Sequence, residues 1–359
     1  MNNTTHRIAV LPGDGVGQEV MNEALKVLDE IRKQDSLNLS YDILNWNSAY
    51  YLENNRMMPE NGLDQLKGYE AILLGAIGDA RVPDNITVWE FIMPIRKTFQ
   101  QYVNFRPAKL LKGLESPLKL KDNEVIDFVI LRENTEGEYS DAGGTMFAGE
   151  SRELAVQNSV MTRKGVNQIA AYAFEYARKN GCNKVTSATK SNAIIHAMKF
   201  WDQVVEEVGA LNTDISYEKV YIDALVAYIV QRPQDFQVIV SSNLFGDILS
   251  DLGSAIVGGL GLAPSANINP TREFPSMFEP VHGSAPDIAG KGIANPIAQI
   301  WSVALMLDHL GRKDLHDRVL SAIEAVLMEN KTLTPDIGGT ATTQQLGDAI
   351  VEKLYNERR

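Results

Sequence analysis

Ile8-Ala9-Val10-Leu11-Pro12-Gly13-Asp14-Gly15-Val16-Gly17-Gln18 decides what kind of fold this chain takes. Four apolar residues in a row, Ile8–Leu11, mark a buried strand, and the glycine cluster then turns the chain. From there Val16, Val20, Ala24, Val27, Leu28 and Ile31 recur three and four apart, so a helix follows. Strand, glycine turn and helix also open a dinucleotide-binding unit, but that fingerprint requires Gly-x-Gly-x-x-Gly. Gly13 and Gly15 fit it; the third position is Gln18, and Gly17 comes one residue early. The spacing favours a tight strand-to-helix turn over a phosphate cradle. No Gly-x-x-x-x-Gly-Lys-Ser/Thr segment occurs either, which argues against phosphoryl transfer.

Working outward, Ala71–Leu74, Phe128–Leu131, Lys184–Thr186 and Val238–Val240 read as further strands. Helical periodicity fills stretches between them, such as Val166–Ala177 and Ala193–Val208. That alternation predicts an α/β protein with a largely parallel sheet. Arg106–Lys121, rich in Lys, Leu and Pro, reads as a crossing segment, and the Gly- and Pro-rich Gly258–Pro280 as long loops. They bracket a middle region, so the first and last parts of the chain are expected to form one domain. A length of 359 residues accommodates two domains, and 44% hydrophobic residues supply a sizeable core.

Lys plus Arg total 34 against 46 Asp plus Glu, a net charge of −12. That balance excludes sequence-independent nucleic-acid binding and requires any anion site to be a local cluster of Arg or Lys. The single cysteine permits neither an internal disulfide nor a Cys/His zinc site. No apolar leader follows Met1 and no window is apolar enough to span a bilayer, so a soluble, cytoplasmic protein is expected.

Three clusters carry candidate chemistry. In Asn243-Leu244-Phe245-Gly246-Asp247-Ile248-Leu249-Ser250-Asp251, a helix from about Gly246 puts Asp247 and Asp251 on one face. Like charges so placed repel; a hard cation such as Mg²⁺ or Mn²⁺ would relieve them, and Asp223 could supply a third ligand. Two solvated aspartates on a surface helix remain the alternative. Arg96, Arg106 and Arg132 form the basic set; Arg106 precedes a proline and Arg132 follows a strand, positions suited to carboxylate recognition. Lys190 also follows a strand; close to a cation its pKa would fall and it could act as a base, with Tyr139 as an acid candidate. In Glu279-Pro280-Val281-His282-Gly283-Ser284-Ala285-Pro286-Asp287, small residues allow close approach of a ligand and His282 could meet a purine; an irregular connector is the alternative.

These segments, in this order, resemble the decarboxylating dehydrogenases of 2R-hydroxy acids: the isocitrate, isopropylmalate and tartrate/D-malate dehydrogenases. The likeness runs from Leu11–Gly15 to Thr334–Asp336 and is most specific in Asn243–Gly253 and Glu279–Pro296. Tyr102–Pro107 and Ala263–Asn267 look most like the tartrate/D-malate branch. The resemblance implies an isocitrate/isopropylmalate dehydrogenase-like α/β fold, not Rossmann, with two domains sharing a large mixed sheet. It implies a cofactor domain of residues 1–103 plus 262–359, a metal, substrate and dimerisation domain of residues 104–261, and an obligate homodimer with shared active sites. By the same resemblance Arg96, Arg106 and Arg132 hold substrate carboxylates. Asp223 (from the partner), Asp247 and Asp251 bind Mn²⁺ or Mg²⁺. Lys190, also from the partner, is the base at the C2 hydroxyl and Tyr139 the acid at C3. Glu279, His282, Gly283, Ser284, Ala285, Asp287 and Asn295 hold the dinucleotide.

Two positions narrow the expectation. Relatives that use NADP carry Lys-Tyr where this chain has Asp287-Ile288. A carboxylate accepts both adenosine ribose hydroxyls and repels a 2′-phosphate, so NAD is expected. Isocitrate enzymes place Ser and Asn six and four residues before the equivalent of Arg96; here stand Glu90 and Ile92, and Glu90 would repel the extra carboxylate. Isopropylmalate enzymes have a Glu and two Leu where this chain has Trp89, Ile92 and Met93. Trp89 would shrink the pocket toward a substrate with H or OH at C3. The expectation is oxidative decarboxylation of D-malate to pyruvate and CO₂, with tartrate isomers as further substrates. The alternatives are 3-isopropylmalate oxidation, since Ile92 and Met93 stay apolar, and a silent metal- and dinucleotide-binding regulatory protein.

Overall fold

A computed structural model of the chain describes residues 5–121 and 124–356. Ile8–Leu11 lie in strand β1 (His6–Gly13) and all four are fully buried. The helix Val16–Asp35 begins three residues after β1 ends, and its buried face carries Val16, Val20, Ala24, Val27, Leu28 and Ile31. Gly13 has φ +77, and a Cβ there would come within 2.0 Å of the Ala76 carbonyl oxygen. Three amides of the turn and helix start are consumed by the protein itself. Asp14 N–H donates to the Ala76 carbonyl (2.6 Å), Val16 N–H to the Ser284 carbonyl (2.9 Å) and Gly17 N–H to the Asp14 carbonyl (2.9 Å). At the helix N-terminus that would receive a pyrophosphate in a Rossmann unit, the Val16 and Gly17 amides are therefore already satisfied.

The chain divides into two compact units. One takes the chain through Gln101, then Lys109–Leu120, and everything from Ser254 onward. The other takes Tyr102–Ala108 and Lys121–Gly253. The divisions between these compact units fall near 101 and 253. Lys109–Leu120 belongs with the first unit, where Ser116 Oγ donates to the Ile256 carbonyl (2.6 Å).

In the first unit β1 is flanked by β2 (Leu39–Ile43) and β3 (Ala71–Ala76), both parallel to it. Residues 264–268 and 276–280 read as loop from composition; they are strands, Pro264–Ile268 and Ser276–Pro280, paired antiparallel with Ser265 opposite Glu279. The prolines sit at strand ends, where no ladder amide is required, and burial on both faces removes the period-two signal. Ser276–Pro280 runs parallel to β3, so this unit's sheet is mixed.

The second unit holds the strand Val103–Lys109 up to Ala108, the strands Asp127–Glu133, Lys184–Thr189, Ser216–Tyr221 and Val238–Ser241, and an exposed hairpin of Gly143–Met146 and Leu154–Gln157. Four of these are parallel neighbours in the order Asp127–Glu133, Val238–Ser241, Lys184–Thr189, Ser216–Tyr221. Among the described residues no helix is long and apolar enough to cross a membrane.

Candidate active site

The four parallel strands of the second unit deliver the predicted side chains at their carboxyl ends, where open α/β sheets place their ligands. Arg132 is the penultimate residue of its strand and lies in register with Ser241. Lys190 directly follows Thr189, which is in register with Tyr221; Asp223 comes two residues later, in the first turn of the helix Ile222–Gln231. Beyond Ser241 the chain enters the helix Asn243–Ile256, which begins three residues earlier than its apolar pattern suggests and carries Asp247 and Asp251.

Arg132, only 2% exposed, is the centre of the arrangement. Its Nε and Nη2 donate to Asn243 Oδ1 at 3.0 and 2.6 Å, and its Nη1 pairs with Asp247 Oδ1. Tyr139 donates from its hydroxyl to Asp247 Oδ2 (2.7 Å), and its ring faces the guanidinium at 5.3 Å. Gly246 makes room for this: a Cβ there would sit 2.5 Å from Arg132 Cβ. Arg106, also buried, donates to Asn104 Oδ1 (2.9 Å) and to Ser250 Oγ (3.3 Å), and so touches the same helix. The loop bearing Tyr139 is tied down as well. Glu138 accepts from Ser242 Oγ (2.8 Å) and from Leu244 N–H (3.0 Å), capping the helix, while Asn243 Nδ2 donates to the Glu136 carbonyl (3.0 Å).

The electrostatics of this face suit a divalent cation. Partial burial and then the charge of Asp247 raise the pKa of Asp251, against the pull of Arg106 and Arg132. Both carboxylates keep access to solvent, and their oxygens are the hard donors that Mg²⁺ and Mn²⁺ prefer. A bound dication would relieve the repulsion between them. Lys190 and Asp223 form a second pair, Nζ to Oδ1 at 2.7 Å, and the lysine holds the Asp223 pKa down. Within one chain no three His, Cys, Asp or Glu side chains gather as a metal site among the described residues.

The first unit carries the remaining candidates. Arg96, in the helix Met93–Thr98, donates from Nη2 to Glu279 Oε1 (2.9 Å), which also accepts from Asn267 Nδ2 (2.7 Å). Its Nε is buried without a hydrogen-bond partner, a free donor fit for a carboxylate. Trp89 lies in the π-helical turn Val88–Ile92, partly exposed beneath the Lys97 ammonium (5.1 Å). Ile92 is half-buried against the core around Phe91 and Phe99, and Met93 is 2% exposed.

His282 Nδ1 lies 2.9 Å from the Gly283 carbonyl oxygen, while Nε2 is enclosed and unpartnered. Burial lowers the His282 pKa. It lines a cleft of about 160 Å³ with Val16, Ala285, Ile288, Asn295 and Asp336. A mostly apolar cleft with one unsatisfied ring nitrogen fits a heteroaromatic base. Asn295 is braced by Asp336 (3.0 Å) and accepts from Ile297 N–H (3.0 Å); Ser284 is buried, Ala285 takes φ +41, and Gly283 and Asp287 lie exposed.

Asn243, Gly246, Glu138 and Ser250 were not among the residues singled out from the sequence. Asn243, Gly246 and Asp247 stand at i, i+3 and i+4, one helix face, and that spacing was the available signal.

Comparison with known proteins gives a consistent picture. The isocitrate/isopropylmalate dehydrogenase family description matches residues 7–350. A tartrate dehydrogenase/decarboxylase of Pseudomonas putida is 50% identical over 97% of this chain and 97% of its own length. A decarboxylating D-malate dehydrogenase of Escherichia coli is 48% identical, covering 96% of this chain and 98% of its own. Among solved structures, an isocitrate dehydrogenase from Methylococcus capsulatus superposes with a TM-score of 0.89 at 33% identity, covering 98% of this chain and 99% of its own.

Proposed function

The chain belongs to the isocitrate/isopropylmalate dehydrogenase family, and we propose that it oxidises and decarboxylates D-malate to pyruvate and CO₂ with NAD⁺ and Mn²⁺ or Mg²⁺, accepting tartrate isomers as well. The carrying observation is Asp247, which faces a tyrosine hydroxyl and an arginine at once while Asp251 stands one turn further along the helix. A phenol, a guanidinium and two carboxylates lie together here, a set that would serve as proton donor, anion receptor and cation ligands, and binding alone would not need the first.

When bound, NAD⁺ takes up the hydride and the divalent ion supplies positive charge where negative charge develops on the substrate. Asp247 and Asp251 would hold the ion, with Asp223 of the partner subunit as third ligand. Arg96, Arg106 and Arg132 would hold the substrate carboxylates. Lys190 of the partner subunit takes the C2 hydroxyl proton. The C3–C4 bond breaks to release CO₂, and Tyr139 returns a proton to C3. His282, Gly283, Ser284, Ala285 and Asn295 would enclose the adenosine, Asp287 its ribose hydroxyls, and Glu279 would stand beside the dinucleotide while holding Arg96.

A cytoplasmic homodimer with shared sites is part of this proposal. Apolar side chains are exposed beside the functional residues of the second unit: Ile195 (52%) near Lys190, Tyr221 (42%) near Asp223, and Ile248 (50%) beside Asp247. The hairpin adds Met146, Phe147, Leu154 and Val156, all exposed. Such a spread of surface hydrophobics suits a protein interface.

Initial rates of NADH formation with Mn²⁺ test the substrate. D-malate and the tartrates should exceed 3-isopropylmalate and isocitrate; a large preference for 3-isopropylmalate overturns the assignment, and equal efficiency with NADP⁺ overturns the cofactor. Lys190→Ala should lower kcat by about 10³-fold, the scale of a lost general base. Mixing Lys190→Ala subunits with Asp247→Asn subunits, each inactive alone, should restore about a quarter of the wild-type rate if sites are shared across a two-fold axis. No recovery in demonstrated heterodimers overturns the sharing.

A further inference from the structure

We propose that Asn243 is a positioning residue for substrate binding, acting through Arg132; this rests on the functional reading above. The carboxamide makes the two bonds that orient the guanidinium. Oδ1 accepts from both Nε and Nη2, and the group is itself locked because Nδ2 donates to the Glu136 carbonyl. Asn243 is 1% exposed, so water does not substitute for it. An arginine has several rotatable bonds, and the two Asn243 bonds add to the Asp247 pairing and the Tyr139 ring contact in fixing the plane of the guanidinium.

Along one helix face Asn243 grips the guanidinium, Gly246 clears a berth for the side-chain stem, and Asp247 meets the remaining nitrogen. A neutral acceptor at the first of these positions has a specific consequence. It orients Arg132 without adding a second negative charge to that of Asp247, so the guanidinium is not doubly offset and keeps attraction for a substrate carboxylate. A second aspartate there would neutralise it.

Asn243→Ala should raise KM for D-malate about tenfold or more, the scale of lost hydrogen bonds to a charged group. Because the contact exists in ground and transition states alike, kcat should change by less than about threefold, and KM for NAD⁺ should stay put. Asn243→Ser, which keeps a good helix-start residue but cannot reach the guanidinium, serves as a second variant should the alanine not fold. In an Arg132→Lys background, D-malate binding by calorimetry should lose no more than about twofold further on adding Asn243→Ala. An unchanged KM, a fall in kcat with KM unmoved, or additive losses in the double variant overturn the proposal. Crystal structures of wild type and Asn243→Ala give a readout independent of turnover, and the guanidinium should be displaced or disordered. If the wild-type enzyme turns over no 2-hydroxy dicarboxylate, the functional reading fails while this displacement still decides the positioning role. If turnover is normal and the guanidinium stays in place, the positioning role alone fails.

Discussion

At the Gly13–Val16 turn, backbone closes on backbone; at Asn243–Asp247, an arginine side chain lies along the helix. Both follow a buried parallel strand, and both set a glycine beside an aspartate. In the first, Gly13 lets the chain approach the Ala76 carbonyl, and Asp14 is spent on structure: it accepts from Ser48 N–H (3.0 Å), Ser48 Oγ (2.6 Å) and Gly78 N–H (2.9 Å). In the second, Gly246 admits Arg132, and Asp247 remains partly exposed between a phenol and a guanidinium. One aspartate has its hydrogen bonds filled by the backbone and a serine hydroxyl, and works as a brace. The other is left with capacity for a ligand.

That contrast predicts different failures. Gly13→Val places a branched side chain at positive φ against a carbonyl, and its cost should exceed about 4 kcal/mol, abolishing a cooperative thermal transition. Retention of a near-native melting curve would show that the turn can relax. Gly246→Ala should instead leave a folded protein whose kcat/KM falls about 100-fold, because Arg132 is pushed off Asn243 and Asp247. Full activity there would mean the guanidinium has room to spare. Asp14→Asn should cost about 2 kcal/mol in chemical denaturation, the value of buried hydrogen bonds to a charged acceptor, with kcat unaffected.

A pH dependence of comparable size comes from Glu133. Glu133, next to Arg132 and 1% exposed, has its pKa raised from 4.5 to about 6, by burial first, although Thr135 and the Glu136 amide donate to it. Between those values the folded chain keeps a proton that the unfolded chain has lost. Its contribution is therefore present below pH 4.5 and lost as pH rises through about 6, a change of about 2 kcal/mol. Glu133→Gln should flatten that part of the stability–pH curve; an unchanged slope would place the titration elsewhere.

Much of this architecture is legible in the order of residues. Uninterrupted apolar runs mark Ala71–Ala76 and Val238–Ser241, and three-and-four spacing marks Val16–Asp35. Pro264–Ile268 and Ser276–Pro280 escape such a reading because short strands buried on both faces, with prolines at their ends, look like loop. The helical spacing of Asp247 and Asp251 is local and readable. The Arg132–Asn243 contact spans 111 positions and the Arg96–Glu279 pair 183, and no periodicity reports on either.

Residue order alone determined an α/β chain, because periodicity and glycine spacing are properties of neighbours along the chain, and the resemblance carried by blocks such as Asn243–Gly253 implied the 2-hydroxy-acid dehydrogenase type and its non-Rossmann fold. Only the tertiary structure decided which partner each charge takes: Asp14 the backbone, Asp247 the phenol and guanidinium, Arg132 the carboxamide of Asn243. Those pairings depend on which strand ends lie side by side, and hydrogen bonds lose their strength within an ångström, so they become definite only once the sheet has brought distant segments together.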